Sequence, residues 1–189
     1  PETVIEIGGR PDRFSWLSSL LPMRIAVATA LLLAVGVTIT TRDPAPTLPD
    51  PVTITENLHL IGKAVKQARE DGGDILFISN RQLLTFHYID APLIPDYERV
   101  FLMETAMAND PAYMARFHED LRQQKFDLII SEPLSREIQE PKDDFGAENN
   151  AWVKQVSTYV LCYYKSTKTL KDVRVQLLAP SPEPKTHCP

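Results

Sequence analysis

The longest uncharged segment of the chain lies near its start. Residues 25–41 carry no charge and are bracketed by Arg24 and Arg42. At about 1.5 Å per helical residue, such a run spans roughly 25 Å, close to the thickness of the bilayer hydrocarbon. It has no polar face beyond a few threonines, unlike a helix on the surface of a globular protein. We therefore predict a transmembrane helix over residues 20–41, with a signal sequence or a buried core helix as the alternatives.

The flanks of this span predict its orientation. Residues 1–19 have the pattern of a polar tail or loop, and the proline-rich residues 42–52 that of an extended spacer. Arg10, Arg13 and Arg24 precede the span, whereas Arg42 is the one basic residue that follows it closely. The positive-inside rule then places the N-terminus in the cytoplasm and residues 53–179 in an extracytoplasmic domain.

The predicted domain opens with an amphipathic helix. Thr53 and Glu56 are spaced as a capping box, in which Thr53 caps the helix and Glu56 reaches back. Gly72 and Gly73 end the pattern. Apolar residues follow the cap at helical spacing: Leu58, Ile61, Val65 and Ala68.

Two short apolar runs, residues 74–79 and 126–131, are typical of strands buried on both faces. Helical patterns over residues 97–108 and 111–122 separate them, and Asp110 is placed to cap the second. Buried strands joined through helices are expected to be parallel neighbours with a right-handed crossover. The predicted fold class is α/β, with a small open, mainly parallel, Rossmann-like sheet.

The C-terminal part of the domain has a different character. Residues 137–144 are charged and predict a mobile loop, and residues 147–156 predict a short helix. Residues 159–164 and 173–178 predict an antiparallel strand pair, and residues 180–189 a disordered tail. Cys162 lies inside an apolar run, which favours a buried thiol over a disulfide with Cys188.

Composition narrows the class of protein. The 189 residues carry a formal net charge of −5 without a basic cluster, which argues against nucleic acid as a partner. None of the seven glycines follows either buried strand, so the phosphate-binding loops of nucleotide cofactors are absent, and we predict no cofactor. The chain begins with Pro1 instead of methionine, so we expect a fragment or a processed product.

The predicted ligand site lies where the buried strands end. In an open parallel sheet, ligands bind at the carboxyl ends of the strands, which points to Asn80, Arg81 and Glu132. If the two strands are neighbours, these side chains can line one crevice; alternatively, they are ordinary loop residues at strand ends. Asn149 and Trp152 complete the predicted site; alternatively the asparagines cap a helix and Trp152 packs on the sheet.

Catalytic and metal sites are disfavoured. Ser79 and Ser131 close strands, but neither lies in a G-x-S-x-G elbow. No histidine pair has the i, i+4 spacing of zinc ligands, so no metal site is predicted. His118 is interpreted as a solvated helix residue and His87 as a loop or strand residue.

Three segments, residues 74–86, 126–133 and 148–154, carry a resemblance to known proteins. Together they resemble the C-terminal extramembrane part of uncharacterised bacterial multi-span membrane proteins. Those proteins are similar to glycosyltransferases of the lipid-linked-sugar (GT-C) type, whose sugar donor is carried on a polyprenyl phosphate. The resemblance covers about residues 20–180. It implies a catalytic acidic residue in an early extracytoplasmic loop that this chain does not contain, so no catalytic residue is assigned here.

These observations lead to two functional hypotheses. In the first, the chain is the last span and a non-catalytic accessory domain of a larger bacterial membrane protein resembling a glycosyltransferase. Its partners are then the lipid bilayer and the missing upstream membrane portion. In the second, it is a single-pass, membrane-anchored extracytoplasmic domain that binds a ligand or acts as a sensor. A self-standing hydrolase is the weakest alternative, because no nucleophile and base can be paired.

The predicted span can be tested with Leu32→Arg. An arginine in the middle of a span costs roughly 2.5–3.5 kcal/mol on insertion scales, so the variant should lose membrane insertion. Fractionation of cells that express the full chain measures this, with Leu58→Arg, outside the span, as the control. Membrane fractionation of Leu32→Arg like that of the wild type would contradict the predicted topology.

Overall fold

The computed structural model describes residues 25–33, 49–140, 142, 144–183 and 188. The chain divides into two units, residues 1–48 and 49–189. In the first unit, residues 25–33 form helix α1, whose side chains are exposed. The remainder of the span predicted over residues 20–41 lies outside the described residues, as does the tail over residues 1–19. Across the described ranges, no helix combines the length and the apolarity that crossing a membrane requires.

The second unit is an α/β domain. Its helices and strands, in chain order, are α2 (Pro51–Glu70), β1 (Ile75–Ile78), α3 (Gln82–Thr85), α4 (Arg99–Ala108), α5 (Pro111–Arg122), β2 (Leu128–Ser131), α6 (Gly146–Trp152), α7 (Thr158–Tyr163), β3 (Tyr164–Leu170) and β4 (Val175–Pro180). Short 3₁₀ turns occupy Pro95–Tyr97 and Lys171–Val173, and a π-helical turn over Val153–Ser157 joins α6 to α7.

The four strands form one open sheet with the order β1-β2-β4-β3. Strands β1 and β2 are parallel, with Ile75 opposite Leu128 and Ile78 opposite Ser131, so the predicted parallel pair is confirmed. Strand β4 runs antiparallel to both β2 and β3. The prediction of a mainly parallel sheet is therefore wrong. One of the three pairings is parallel and two are antiparallel, because the C-terminal hairpin inserts β4 beside β2.

Helices cover both faces of this sheet. One face presents Leu76 and Ile129 to a core that α4, α5 and α7 complete, where Phe117 and Val160 are fully buried. On the other face, Phe77 and Ile130 pack under α2. Burial on both faces explains why β1 is entirely apolar and why β2 is apolar up to its last residue, Ser131.

Helix α2 starts earlier than the sequence pattern predicts. It begins at Pro51, inside the predicted spacer over residues 42–52, and Asp50 is its cap. The Asp50 carboxylate accepts from the backbone N–H of Thr53 at 3.4 Å, so Thr53 is a first-turn residue and not the cap. Proline suits the first helical position because it has no N–H to satisfy there. At α5 the predicted cap is confirmed, since the Asp110 carboxylate accepts from Ala112 and Tyr113 at 3.0 Å.

The predicted strand over residues 159–164 is wrong, because this apolar run is mostly helix α7. Val160 and Cys162 are buried there, and the backbone becomes extended only at Tyr164 (φ −122°, ψ 147°). A short apolar run fits a buried helix as well as a buried strand. Strand β3 follows directly over Tyr164–Leu170, although its polar residues 165–169 lie between the two predicted strands and belong to neither. Lysines on an edge strand are a common protection against further strand pairing.

Cys162 and Cys188 form a disulfide, with their Cα atoms 6.1 Å apart. Cys162 is buried, as predicted, but its sulfur is bonded and is not a free thiol. The backbone N–H of Ser181 also donates to the carbonyl of Tyr163 at 2.9 Å. At Ser181 and Cys188 the predicted disordered tail, residues 180–189, is therefore attached to the domain. Residues 184–187 and 189 lie outside the described part.

Removing the disulfide should destabilise the domain. We expect Cys188→Ala to lower the free energy of unfolding by about 2–4 kcal/mol, because a crosslink restricts the unfolded chain. Denaturant unfolding of the full chain, with and without dithiothreitol, measures this. The reductant should bring the wild type to the level of the variant and leave the variant unchanged. Two thiols titrated in unreduced, unfolded wild type would contradict the pairing.

Candidate functional site

The parallel pairing brings the ends of β1 and β2 to one edge of the sheet, but the predicted site residues separate there. Asn80 uses its side-chain oxygen to accept from the backbone N–H of Gln82 at 3.1 Å, which closes a local turn. Arg81 is the N-cap residue of the short helix α3, and both Asn80 and Arg81 are exposed. Neither lines the crevice that forms beyond β2. Of the three predicted strand-end residues, Glu132 alone lies in that crevice.

This strand-end crevice is a small cavity of about 180 Å³ between the end of β2, the start of α4 and the helix that contains α6. Glu132, Asn149 and Trp152 therefore meet in one place although they come from separate segments of the chain. Its wall is formed by Arg99, Met103, Glu132, Pro133, Leu134, Ser135, Asn149, Trp152, Val153 and Ser157.

An ion pair crosses the crevice. The Arg99 guanidinium lies 3.2 Å from a carboxylate oxygen of Glu132. Both side chains are partly covered, with 39% and 25% of their surface exposed, so water screens this pair less than a fully exposed one. Arg99 is the first residue of α4, and the Glu98 carboxylate caps that helix by accepting from Val100 and Phe101. Since the α4 pattern reveals only its apolar face, nothing in the sequence marked Arg99 as part of the site.

A π-helical turn forms another side of the crevice. Helix α6 continues through Val153–Ser157 into α7, and within it the N–H of Thr158 donates to the carbonyl of Val153, five residues back. Val153 and Ser157, at the two ends of this turn, both line the crevice. Such π-helical turns are rare overall, but many of those that occur are found at functional sites. They widen the helix and redirect its side chains. The sequence carried no signal for it.

The asparagines of α6 are not helix caps. Helix α6 starts at Gly146 behind Phe145, which has no side-chain cap. Asn150 instead holds the loop after β2: its amide accepts from the N–H of Gln139 at 2.8 Å and donates to the same residue's carbonyl at 2.9 Å. The loop predicted to be mobile over residues 137–144 is thus fixed at Gln139. Asn149, one residue earlier, faces the crevice.

His118 supports the π-turn from α5. Its Nε2 lies 2.7 Å from the carbonyl oxygen of Gln155, and its ring stacks on Tyr159 with centroids 3.4 Å apart and planes 4° from parallel. The carbonyl can only accept, so Nε2 carries a proton and donates. Burial lowers the pKa of the His118 imidazole, although the bond to Gln155 acts in the opposite direction. The interpretation of His118 as a solvated residue is therefore wrong.

The strand ends present two buried serine hydroxyls beside the polar side chains of the crevice. The hydroxyls of Ser79 and Ser131 are buried and have no hydrogen-bond partner among the residues that the structure describes, so no described base is paired with either one. Among the residues that the structure describes, no group of three metal-ligating side chains converges. The crevice itself offers a guanidinium, a carboxylate, an amide and hydroxyls around one aromatic ring.

Comparison of the chain with protein-family models, with curated proteins and with solved structures finds no match.

The lowered pKa of His118 predicts a pH dependence of stability. A folded-state pKa below the ordinary value near 6.5 means that the unfolded chain binds the proton more tightly. His118 makes its full contribution to the free energy of unfolding above about pH 6.5. This contribution is lost as the pH falls towards the folded-state pKa. The melting temperature should therefore fall between pH 7.5 and 5.5 by more in the wild type than in His118→Gln.

His59→Gln is the matched control for this pH series, since His59 is an exposed histidine on α2. In this variant the melting temperature should depend on pH as it does in the wild type. If His118→Gln and the wild type lose stability in parallel over the whole range, the buried, neutral state of His118 is disproved.

Proposed function

We propose that the chain is the membrane-anchored, extracytoplasmic accessory domain of a larger bacterial membrane protein similar to a glycosyltransferase. In this proposal the domain binds a small, hydroxyl-rich ligand in the strand-end crevice and performs no chemistry on it. A single observation carries the binding role, namely that Glu132, Asn149 and Trp152 line one cavity together with Arg99.

The mixture of polar groups favours hydroxyls as the ligand's recognition points. Arg99 supplies donors, Glu132 supplies acceptors, and Asn149 supplies both. A hydroxyl both donates and accepts, so it can satisfy this set, whereas an anion would be repelled by Glu132 and a cation by Arg99. The aromatic face of Trp152 offers an apolar surface for the C–H groups of a sugar ring.

The size of the crevice favours a small ligand. Its volume of about 180 Å³ is below the roughly 300–1,000 Å³ of pockets that hold drug-sized molecules. A monosaccharide, or the terminal residue of a longer saccharide, matches this scale better than a nucleotide does.

Two observations support an extracytoplasmic location. The disulfide between Cys162 and Cys188 is typical of oxidising compartments outside the cytoplasm. The bias of arginines towards the N-terminal side of residues 20–41 favours the same orientation.

The exposed leucines of α1, among them Leu32 with 73% of its surface exposed, agree with lipid as the environment of that segment.

The relation to glycosyltransferases rests on the resemblance of the three sequence segments. The unactivated hydroxyls of Ser79 and Ser131 support a non-catalytic role. The second hypothesis, a single-pass ligand-binding or sensor domain, uses the same crevice. The two differ in whether further spans precede this chain in its reading frame.

Ligand binding can be tested by thermal shift of the full chain in a polyoxyethylene detergent, which avoids the competing sugars of glycoside detergents. Neutral hexoses and N-acetylated amino sugars form the panel, and uronic acids are included as anions that Glu132 should repel. A ligand at about one hundred times its Kd stabilises by roughly 2.7 kcal/mol, which should raise the melting temperature by roughly 5 °C or more. Asn149→Ala and Glu132→Gln should abolish the shift.

Arg81→Ala is the matched control, because Arg81 is an exposed strand-end residue outside the crevice. It should respond to the ligand like the wild type. The proposal fails if no member of the panel changes the melting temperature, or if Asn149→Ala still responds in full.

A further inference from the structure

An open groove runs along α2, on the face of the sheet opposite to the strand-end crevice. Its volume is about 620 Å³, within the range of pockets that hold small organic ligands. Residues 55–66 of α2 form one wall, and the segment after α3 forms the other with His87 and Tyr88. The groove does not depend on the proposed function of the crevice, because helix α2 and the crevice are separated by the sheet.

The groove is cationic in an acidic chain. Lys63 and Lys66 line it together with the imidazoles of His59 and His87, and no carboxylate is among its lining residues, whereas the whole chain has a net charge of −5. Lys66 forms a long ion pair one helical turn away, with 3.7 Å between its Nζ and a carboxylate oxygen of Glu70. Within the described residues, Lys63 takes part in no salt bridge.

Gly62 opens the floor of the groove. A Cβ built on this residue would meet no atom within 4 Å, so packing does not require glycine here. Glycine inside a helix lowers its stability relative to other residues. Because Gly62 has no side chain, a ligand that lies between Lys63 and His59 can approach the helix backbone at this point.

The far wall offers an aromatic surface. The Tyr88 side chain is 58% exposed, and the ring of Phe86 contacts it edge-on with centroids 6.1 Å apart. Between them, His87 has a left-handed backbone with φ of 55°, which non-glycine residues seldom adopt. This conformation sets His87 and Tyr88 side by side on the groove.

We propose that the α2 groove binds a phosphate monoester that carries a ring. A monoester has nearly two negative charges at neutral pH and three acceptor oxygens, which suit two lysines and two imidazole donors. A phosphodiester has one charge and a monocarboxylate has one, so each uses fewer of these groups. The ring of the ester lies against Tyr88, and the phosphate lies over Gly62 between Lys63 and Lys66.

The test measures binding of phenyl phosphate to the full chain in a polyoxyethylene detergent by isothermal titration calorimetry. Wild type should bind, and diphenyl phosphate, a diester, should bind at least tenfold more weakly. Lys63→Gln should weaken the Kd at least tenfold, while Lys165→Gln, the same change at an exposed position on β3, should not. Gly62→Leu should remove binding without lowering the melting temperature, because its side chain fills the open groove and favours helix.

Mixed micelles containing phosphatidic acid, a lipid monoester, separate the two sources of this chemistry. If they displace phenyl phosphate, a lipid headgroup is the source; if they do not, a soluble ester is the source, and both results support the site. No binding of phenyl phosphate, or equal binding by Lys63→Gln, Gly62→Leu and the wild type, overturns it. Asn149→Ala changes the crevice only, so loss of sugar binding there with phosphate binding intact separates failure of one site from failure of the other.

Discussion

The parallel pairing of β1 with β2 is the constraint on which the rest of the domain depends. Both strands have four residues, and all of them are buried, so they are stable only when helices cover both faces. The pairing begins where the Asp127 carboxylate accepts from the N–H of Asp74 at 2.8 Å. A side chain on Gly73 would collide with that carboxylate, since its Cβ would lie 2.7 Å from an oxygen of Asp127. Gly73 therefore permits the close approach that starts the sheet.

The crevice follows from how this sheet is covered. Because β2 ends under the start of α4, Glu132 leaves the sheet beside Arg99 and pairs with it. The helix formed by α6 and α7 crosses the same edge, and its π-turn presents Val153 and Ser157 to the cavity. His118 holds the turn through the carbonyl of Gln155. The site is therefore assembled by packing between elements that are distant in sequence.

The two faces of the sheet present different chemistry. The crevice is small and contains opposite charges with a balanced set of donors and acceptors, which suits neutral polar groups. The α2 groove is larger and open and carries positive charge around an exposed tyrosine. The two surfaces are structurally separate, because no residue lines both of them.

The sequence by itself determined the elements whose patterns are local. The periodicity of α2 and α5, the cap at Asp110 and the buried runs of β1 and β2 follow from the spacing of apolar residues and from backbone hydrogen bonding. It also indicated three residues of the crevice, Glu132, Asn149 and Trp152, since strand ends and an unusual polar string are visible without coordinates. Asn80 and Arg81 do not line the crevice, because a local turn and the short helix α3 direct them elsewhere.

The tertiary structure decided the features that depend on contacts between segments distant in the sequence. The run from Tyr159 is helical because it continues α6 through the π-turn and packs on α5, whereas its composition is equally compatible with a strand. The polar β3 pairs as an edge strand only because β4 is beside it. Arg99, the stacked His118 and the Cys162–Cys188 bond likewise arise from contacts between segments far apart in the chain. Local patterns specify which face of an element is apolar, and only packing specifies which partner covers it.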